Sequence, residues 1–408
     1  MNWGQCAQDR LSEIAKCSVD ETGVTRFPFT PEHKAALSVI RSWMTQAGLK
    51  VHMDAAGTLI GRREGPLGAP TFLIGSHQDS VKNGGRYDGI MGVVLGCLAL
   101  EKLAANGVEL PFSVEVLAFA DEEGVRFPTA LMGPRALAGT FDPAVLAMKD
   151  NDGVSLRRAL ADFGGDPDGV EALARDPSTT VGYLEIHIEQ GPVLQAADAA
   201  LGVVTGICGI ERNTVTFTGD TGHAGTVPMD SRRDALVAAS DFISAIHNAA
   251  LKITNLRATV GALSLHPNVV NAIPRDVELT LEIRALDDTV RDNFARLAWS
   301  AGDRISGLRR VEFTMERTYE QPAVPCDSKM VDDLEAAIAT IGQTATRLPS
   351  GATHDASAMA DLCPTAMLFV RCKDGLSHKP EEFATDDDMG AAIQAISSFL
   401  GSGLKASR

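Results

Sequence analysis

The alternation of apolar and polar positions divides the chain into short strands and longer helices. Residues 31–47 carry apolar side chains at helical spacing after a Thr-Pro start signal and before a glycine, which predicts a helix. Apolar runs at 71–75, 114–120 and 181–188 have the length of strands, and the run at 92–105 has that of a helix. Such alternation is typical of an α/β fold in which helices flank a mostly parallel, mixed sheet.

The rhythm of the pattern changes between residues 207 and 322. This segment reads as a strand, a helix, two strands and a second helix at about 288–300, an order typical of a small α+β domain. Helices and strands then alternate again to the end of the sequence. We therefore expect a discontinuous larger domain, residues 1–206 and 323–408, with an inserted domain at 207–322.

Charge and composition narrow the class of protein. The 408 residues carry a formal net charge of -16 without any Lys/Arg-rich run, which argues against a nucleic-acid partner. The sequence shows neither a signal-peptide pattern nor an uncharged apolar stretch long enough to span a membrane, so we expect a cytoplasmic protein without membrane contact. The seven cysteines lack CxxC spacing, and their odd number does not suggest a disulfide framework.

Histidines and acids cluster at the ends of the predicted strands, where α/β proteins bind their ligands. Each of these residues alone would usually be a helix cap or a solvated turn residue. Together, imidazole and carboxylate groups suit divalent cations such as Zn²⁺ or Mn²⁺, and an acid that ligates no metal can act as a base. A cation would also relieve the repulsion within the acidic triplet 121–123. The candidates are His77, Asp79, Asp88, Glu122, Glu123 and His187.

Seven ordered segments across nearly the whole chain resemble the motifs of the M20-type carbamoylases. The resemblance rests on GSHQDSVKNGGRYDG, DEEGVRF, EIHIEQGP, GHAGTVPMDSRRDA, VVNAIP, SGATHDA and GLSHKPEE. That family includes allantoate amidohydrolases, N-carbamoyl-L-amino acid hydrolases, ureidoglycolate amidohydrolases and metal-dependent β-ureidopropionases. The resemblance implies a catalytic di-metal domain, and it implies that the insertion is a lid and dimerisation domain of a homodimer.

The resemblance also implies a ligand set for two divalent ions per subunit, Zn²⁺ or Mn²⁺, with Co²⁺ or Ni²⁺ as substitutes in vitro. Asp88 would bridge the ions, with His77 and His187 at one and Glu123 and His378 at the other. Glu122 would be the general base. Asp79 would hydrogen-bond a ligand imidazole and fix its tautomer. His378 becomes a candidate only through this resemblance.

Further residues are implied on the substrate side. Arg284 would hold the substrate carboxylate with a planar guanidinium, a role that competes with a solvated strand face. His223 would stabilise the developing oxyanion from the partner subunit. Amide hydrogen bonds would come from Gln190 and Asn271. Additional candidates near the pocket are Arg212, Gly351 and His354. Surface positions are expected for His33, His52, His247 and His266.

The implied activity is hydrolysis of the ureido C–N bond of a small carboxylate, with allantoate as the preferred substrate and N-carbamoyl-L-amino acids as the alternative. Two rival functions are an M20 deacylase or aminopeptidase and a non-catalytic binding protein on the same scaffold. His187 argues against a peptidase, because many peptidase members resemble this chain but have a carboxylate at that position. Thr353 and Lys379 depart from the family pattern near the pocket and can alter substrate choice.

Overall fold

A computed structural model describes residues 1–402 and shows a mixed α/β protein. Its strands are β1 (Lys50–Met53), β2 (Leu59–Arg63), β3 (Thr71–His77), β4 (Ser113–Phe119), β5 (Thr180–Ile188), β6 (Leu201–Ile207), β7 (Gly209–Thr218), β8 (Arg257–Thr259), β9 (Leu263–His266), β10 (Asp276–Ala285), β11 (Glu312–Gln321), β12 (Val324–Pro325), β13 (Thr346–Ser350) and β14 (Thr365–Val370).

The α-helices alternate with these strands along the chain. They are α1 (Trp3–Ile14), α2 (Pro31–Gln46), α3 (Ile90–Ala105), α4 (Met132–Ala138), α5 (Leu156–Phe163), α6 (Val193–Ala196), α7 (Ala235–Ala250), α8 (Asp288–Arg309), α9 (Ser328–Thr340), α10 (Ala356–Met359) and α11 (Asp386–Gly401). The chain divides into two compact units. The first combines residues 1–205 with the segment from Cys326 onward, and the second spans residues 206–325.

The first unit is built on a mixed sheet with strand order β1-β2-β4-β3-β5-β14-β6, and β13 pairs with β6. The four central strands β4, β3, β5 and β14 run parallel, while β2 and β6 join them antiparallel. Every residue of β3, β4 and β14 is buried. Burial on both faces explains why these strands are continuous apolar runs in the sequence. The predicted fold class, a mostly parallel mixed sheet flanked by helices, is confirmed.

The helices of the first unit include the central helix α3, which packs against the sheet and contacts α1 and α11. Its sequence is apolar nearly all around, as expected for a helix covered on all sides. The predicted helix at 31–47 is observed as α2, capped by the side chain of Thr30, which accepts the backbone N–H of His33. No helix of the part of the chain that the structure describes is long and apolar enough to cross a membrane.

The second unit contains an antiparallel sheet of strand order β11-β7-β10-β8, with β9 also pairing with β10. Helices α7 and α8 cover one face of this sheet. The hydrophobic core between the sheet and the two helices contains Phe217, Phe242, Leu281 and Phe294. The sequence predicted one strand where β8 and β9 occur. The predicted helix at about 288–300 stops nine residues before the observed end of α8 at Arg309. It also missed β11, whose residues are mostly exposed and polar.

The expected surface position of His33 is wrong, whereas His52, His247 and His266 are exposed. His33 is fully buried, and its Nδ1 accepts the backbone N–H of Phe29 at 2.8 Å. Its ring centroid lies 4.4 Å from that of Phe163. Burial lowers the pKa of His33 well below its usual value, so the ring is a neutral part of the core.

Candidate active site

The parallel strands of the first unit end at one edge of the sheet, and that edge carries the candidate active site. His77 is the last residue of β3, and His187 is the next-to-last residue of β5. Glu122 and Glu123 lie in the turn that follows β4, beyond Ala120 and Asp121. Because the carboxyl ends of neighbouring parallel strands adjoin, the fold brings these side chains together.

Asp88 lies at the centre of the site. Its Oδ1 is 3.0 Å from Nε2 of His187 and 3.4 Å from Nε2 of His77. All three side chains are buried. One ligand atom from each residue lies within 4.8 Å of the others, so the three side chains can hold a metal ion.

The other oxygen of Asp88 faces a second group. Its Oδ2 is 3.4 Å from Nε2 of His378, and that nitrogen is 3.8 Å from Oε2 of Glu123. Asp88, Glu123 and His378 form a compact group that can also hold a metal ion, and His77, Glu122 and Glu123 form a third. Asp88 therefore points one oxygen at each of two groups, as a bridging carboxylate does.

Close packing between the strand end and α3 depends on Gly89, which caps the start of that helix. Its φ of 64° lies in the left-handed region that favours glycine. A Cβ at this position would lie 2.3 Å from Cε1 of His77. Glycine at position 89 therefore lets α3 begin immediately after Asp88 while the backbone packs against the imidazole of His77.

Hydrogen bonds orient both buried imidazoles with Nε2 toward Asp88. Nδ1 of His77 is 3.1 Å from the carbonyl oxygen of Asp79, and Nδ1 of His187 is 3.0 Å from that of Ile188. A carbonyl oxygen only accepts hydrogen bonds, so in the neutral ring Nδ1 carries the proton and Nε2 offers its lone pair. This is the tautomer that binds a metal through Nε2.

Asp79 connects the end of β3 to the acidic segment after β4. Its carboxylate is 3.4 Å from Nδ1 of His77. The same carboxylate accepts the backbone N–H groups of Glu122 at 3.1 Å and Glu123 at 3.2 Å. The family resemblance implied the contact with an imidazole, but it did not reveal that Asp79 also orients the two glutamates.

The cluster holds more carboxylates than its imidazoles neutralise. Burial alone lowers the pKa of His77, but hydrogen bonds with Asp79 and Asp88 outweigh it and raise that pKa well above its usual value. Burial, together with the charge of Asp88, raises the pKa of Glu123 to about 7. Burial also raises the pKa of Glu122 well above its usual value, and the charge of Glu123 adds to the shift. Added positive charge would stabilise these carboxylates.

The donor atoms fit a divalent cation. Oε1 of Glu123 is buried and has no hydrogen-bond partner among the described residues. A buried carboxylate oxygen without a partner is costly, and a metal ion would satisfy it. The mixture of imidazole and carboxylate donors suits Zn²⁺ or Mn²⁺.

Gln190 contacts Asp88 in the structure. Its Nε2 donates to Oδ2 of Asp88 at 2.8 Å and lies 3.3 Å from Oγ of Ser377. Ser377 Oγ lies 2.8 Å from the same Asp88 oxygen and 3.0 Å from Oε2 of Glu382. Ser377 and Glu382 were not predicted from the sequence, although both lie in the segment GLSHKPEE that contains His378.

His354 packs directly against the cluster. Its ring centroid is 4.5 Å from that of His187, and its Nε2 is 2.8 Å from Oγ of Ser350. Burial lowers the pKa of His354 well below its usual value, so the ring is neutral. Gly351 lies in the same loop and is exposed. His354 is therefore placed to support the imidazole of His187.

The second unit contains four further candidates, two of which lie close together. The backbone N–H of Ala224, next to His223, donates to the carbonyl oxygen of Asn271 at 3.0 Å. His223 also forms an isolated β-bridge with Ala272, and its Nδ1 accepts the N–H of Gly225 at 3.1 Å. These contacts place His223 and Asn271 side by side.

Arg212 and Arg284 share one acidic neighbour on the strand pair β7–β10. The carboxylate of Glu282 accepts a hydrogen bond from Nε of Arg212 at 2.8 Å and another from Nε of Arg284 at 2.7 Å. Partial burial alone would raise the pKa of Glu282, but these hydrogen bonds outweigh it and lower that pKa. The two guanidinium groups carry one positive charge more than the carboxylate that they share, and guanidinium groups suit an anionic group of a ligand.

Comparison with known proteins gives a family match. The model of the peptidase family M20/M25/M40 matches residues 73–402. An N-carbamoyl-L-amino acid amidohydrolase of Geobacillus stearothermophilus is 40% identical over 96% of this chain and 97% of its own. An allantoate deiminase of Arabidopsis thaliana is 37% identical over 96% of this chain and 81% of its own.

A similar solved structure supports the same family assignment as these sequence relatives. The amidase of the hydantoinase/carbamoylase family from Burkholderia multivorans superimposes with a TM-score of 0.93 at 34% identity, covering 98% of this chain and 97% of that one. The resemblance inferred from the seven motifs is thus confirmed. The chain belongs to the peptidase family M20/M25/M40 and is an amidohydrolase of its carbamoylase branch.

Proposed function

We propose that this protein is a two-metal amidohydrolase that cleaves the ureido C–N bond of a small carboxylate. The observation that carries the proposal is Asp88, whose two oxygens face two separate ligand groups beside Glu122. His77, Asp88 and His187 would hold one ion, and Asp88, Glu123 and His378 the other. Zn²⁺ and Mn²⁺ are the favoured metals.

The proposed chemistry divides between the ions and the protein. Two divalent ions in this cluster would lower the pKa of a water molecule and polarise the ureido carbonyl. Glu122 is buried near the cluster, with Oε2 4.0 Å from Nε2 of His77, and Asp79 fixes its backbone. Glu122 accepts a proton from the attacking water and returns it to the leaving nitrogen as the C–N bond breaks. The carbamate product then decomposes to ammonia and carbon dioxide.

Two classes of ureido carboxylate are the candidate substrates. We place allantoate first and N-carbamoyl-L-amino acids second. The relatives named for these two activities are nearly equal in identity to this chain, and that observation supports keeping both. His187 provides an imidazole where many peptidase members have a carboxylate, which favours a ureido substrate over a peptide or an N-acyl amino acid.

A substrate panel tests this proposal. Ammonia release is measured with allantoate, N-carbamoyl-L-amino acids and N-carbamoyl-β-amino acids, and amine release is measured with N-acetyl amino acids and dipeptides. We expect turnover of a ureido substrate, its loss after chelation, and its recovery with Mn²⁺ or Zn²⁺. Turnover of acyl substrates alone would favour a deacylase or peptidase, and binding without turnover would indicate a binding protein.

Arg284→Lys is expected to raise KM for the best carboxylate substrate about tenfold or more with little change in metal content. Lysine keeps the charge but replaces a planar, bidentate donor with a point charge. It also loses the Nε donor that Glu282 orients at 2.7 Å. Steady-state kinetics and metal analysis measure the two quantities.

The matched control is Arg309→Lys, the same change at an exposed arginine of α8 that pairs with Asp241. It is expected to leave KM unchanged. An unchanged KM in Arg284→Lys would remove Arg284 from the proposed substrate site.

We further propose that the protein acts as a homodimer through its second unit. Support for this proposal comes from apolar side chains of that unit that are exposed in the single chain and that a partner subunit would cover. They include Leu263, Val269, Val270, Leu297 and Trp299. A two-fold interface would let each subunit lend His223 to the site of the other.

Mixing inactive Glu122→Gln chains with inactive His223→Ala chains is therefore expected to restore about a quarter of wild-type activity. Random exchange makes half of the dimers mixed, and each mixed dimer has one site with an intact Glu122 and an intact His223. Activity is measured after exchange, which is followed with differently tagged chains. Demonstrated exchange without recovered activity would mean that His223 does not act in the partner's site.

A further inference from the structure

Glu382 is a buried carboxylate that contacts the backbone beside Asp88. It is 2% exposed and follows His378 in the same loop. Its Oε1 accepts the backbone N–H of Tyr87 at 2.9 Å and that of Asp88 at 3.0 Å. Its Oε2 lies 3.0 Å from the hydroxyl of Ser377. One carboxylate therefore connects the segment that ends at Asp88 with the loop that contains His378.

The segment before Asp88 is shaped to receive this carboxylate. A Cβ at Gly85 would lie 2.2 Å from Cδ of Glu382 and the same distance from its Oε1. Any side chain at position 85 would thus push the carboxylate off the two N–H groups that it accepts. The glycine allows Glu382 to sit against the backbone that leads into Asp88.

Ser377 extends the connection to the side chain of Asp88. Its Oγ is 2.8 Å from Oδ2 of Asp88, the oxygen that faces His378. Oδ1 of Asp88, which faces His77 and His187, has no part in this connection. Through Ser377, Glu382 is therefore connected to the oxygen of Asp88 that faces the second ligand group.

The two ligand groups differ in how the fold holds their histidines. His77 and His187 are buried at the ends of β3 and β5, so the sheet itself fixes them. His378 lies in a loop, its side chain is 52% exposed, and its φ is 59°. A non-glycine residue in this conformation persists only where its surroundings hold it. The position of His378 relative to Asp88 therefore depends on the contacts that hold this loop against the segment of Tyr87 and Asp88.

We propose that Glu382 is a positioning residue that holds the Asp88–Glu123–His378 group in its metal-binding geometry and has no such effect on the group containing His77 and His187. This inference rests on the proposed two-metal centre. Removing the Glu382 carboxylate would free the His378 loop from the segment that presents Asp88. It would thereby weaken one of the two metal sites.

Metal binding to protein that a chelator has stripped of metal tests this inference independently of enzymatic activity. Mn²⁺ or Zn²⁺ alone is titrated by calorimetry, and bound metal is counted by elemental analysis. Wild type is expected to bind two ions per chain. Glu382→Ala is expected to keep the affinity of one ion and to weaken the other roughly 10- to 100-fold, the range found when a residue that orients a ligand is removed. Glu381→Ala, an exposed neighbour in the same loop, is the matched control and should bind like wild type.

Two further variants separate positioning from a general loss of structure. Glu382→Gln keeps an oxygen that can accept the N–H groups of Tyr87 and Asp88, so it should retain most of the affinity. In a His378→Ala background, Glu382→Ala should add no further loss, because both changes act on the same site.

The inference is overturned if Glu382→Ala binds both ions like wild type or weakens both equally while circular dichroism shows an intact fold. Should Glu382→Ala fail to fold, Ser377→Ala decides in its place, with one ion weakened and the other unchanged as the expected result. Ser377→Ala with both affinities unchanged then overturns the inference. Fewer than two ions in wild type would instead contradict the two-metal centre itself.

Discussion

Glu122→Gln is expected to lower kcat by roughly 100-fold or more while both metal ions remain bound. Loss of a general base typically has an effect of this size. The amide keeps the shape of the side chain, and the backbone N–H of residue 122 can still donate to Asp79. What it loses is the ability to accept a proton from water. Ammonia release gives kcat, and elemental analysis gives the metal content.

The matched control for this experiment is Glu64→Gln. Glu64 is an exposed glutamate beyond the end of β2, where it pairs with Arg62, and the change should leave kcat unaltered. Near-native turnover in Glu122→Gln would contradict the assigned base. Loss of both activity and metal would instead mean that Glu122 is itself a ligand, as its place in the group with His77 and Glu123 allows.

Much of the site was predictable from strand ends, because burial on both faces gives parallel strands an unmistakable apolar pattern. Once β3 and β5 are located, His77 and His187 must lie at the same edge of the sheet. The acidic pair after β4 follows by the same argument. Here the geometry of the fold alone converts separate segments of sequence into one cluster.

His378 shows where this reasoning stops. It lies well beyond the end of β14, in an irregular loop with a left-handed backbone conformation. No periodic pattern reports the path of such a loop, so only the family resemblance identified this residue. Ser377 and Glu382 were missed for the same reason, since their importance lies in hydrogen bonds to a segment almost 300 positions earlier.

Two features of the fold were predicted wrongly from the sequence, for different physical reasons. β11 was missed because its residues are largely exposed and polar, so an edge strand of the second unit carries almost no apolar alternation. His33 was expected at the surface because a lone histidine in a helix is usually solvated. Its burial depends on the tertiary contact with Phe29 and Phe163, which sequence spacing does not reveal.

Asp88→Ala is expected to abolish activity and to remove both metal ions, the largest effect of any single change at this site. A carboxylate with one oxygen facing each group serves two ions at once, so its removal deprives each site of a ligand. It also leaves three carboxylates, those of Asp79, Glu122 and Glu123, close together with less positive charge nearby. Elemental analysis after gel filtration measures the bound metal.

The comparison variant is His378→Ala, which removes a ligand from only one group and is expected to lose one ion. Circular dichroism must show a folded chain in both variants, because Asp88 immediately precedes Gly89 and the start of α3. Two ions retained by Asp88→Ala would disprove the bridging assignment. One ion lost from each variant would mean that Asp88 belongs to a single site, and the two sites would then have to be assigned without a shared ligand.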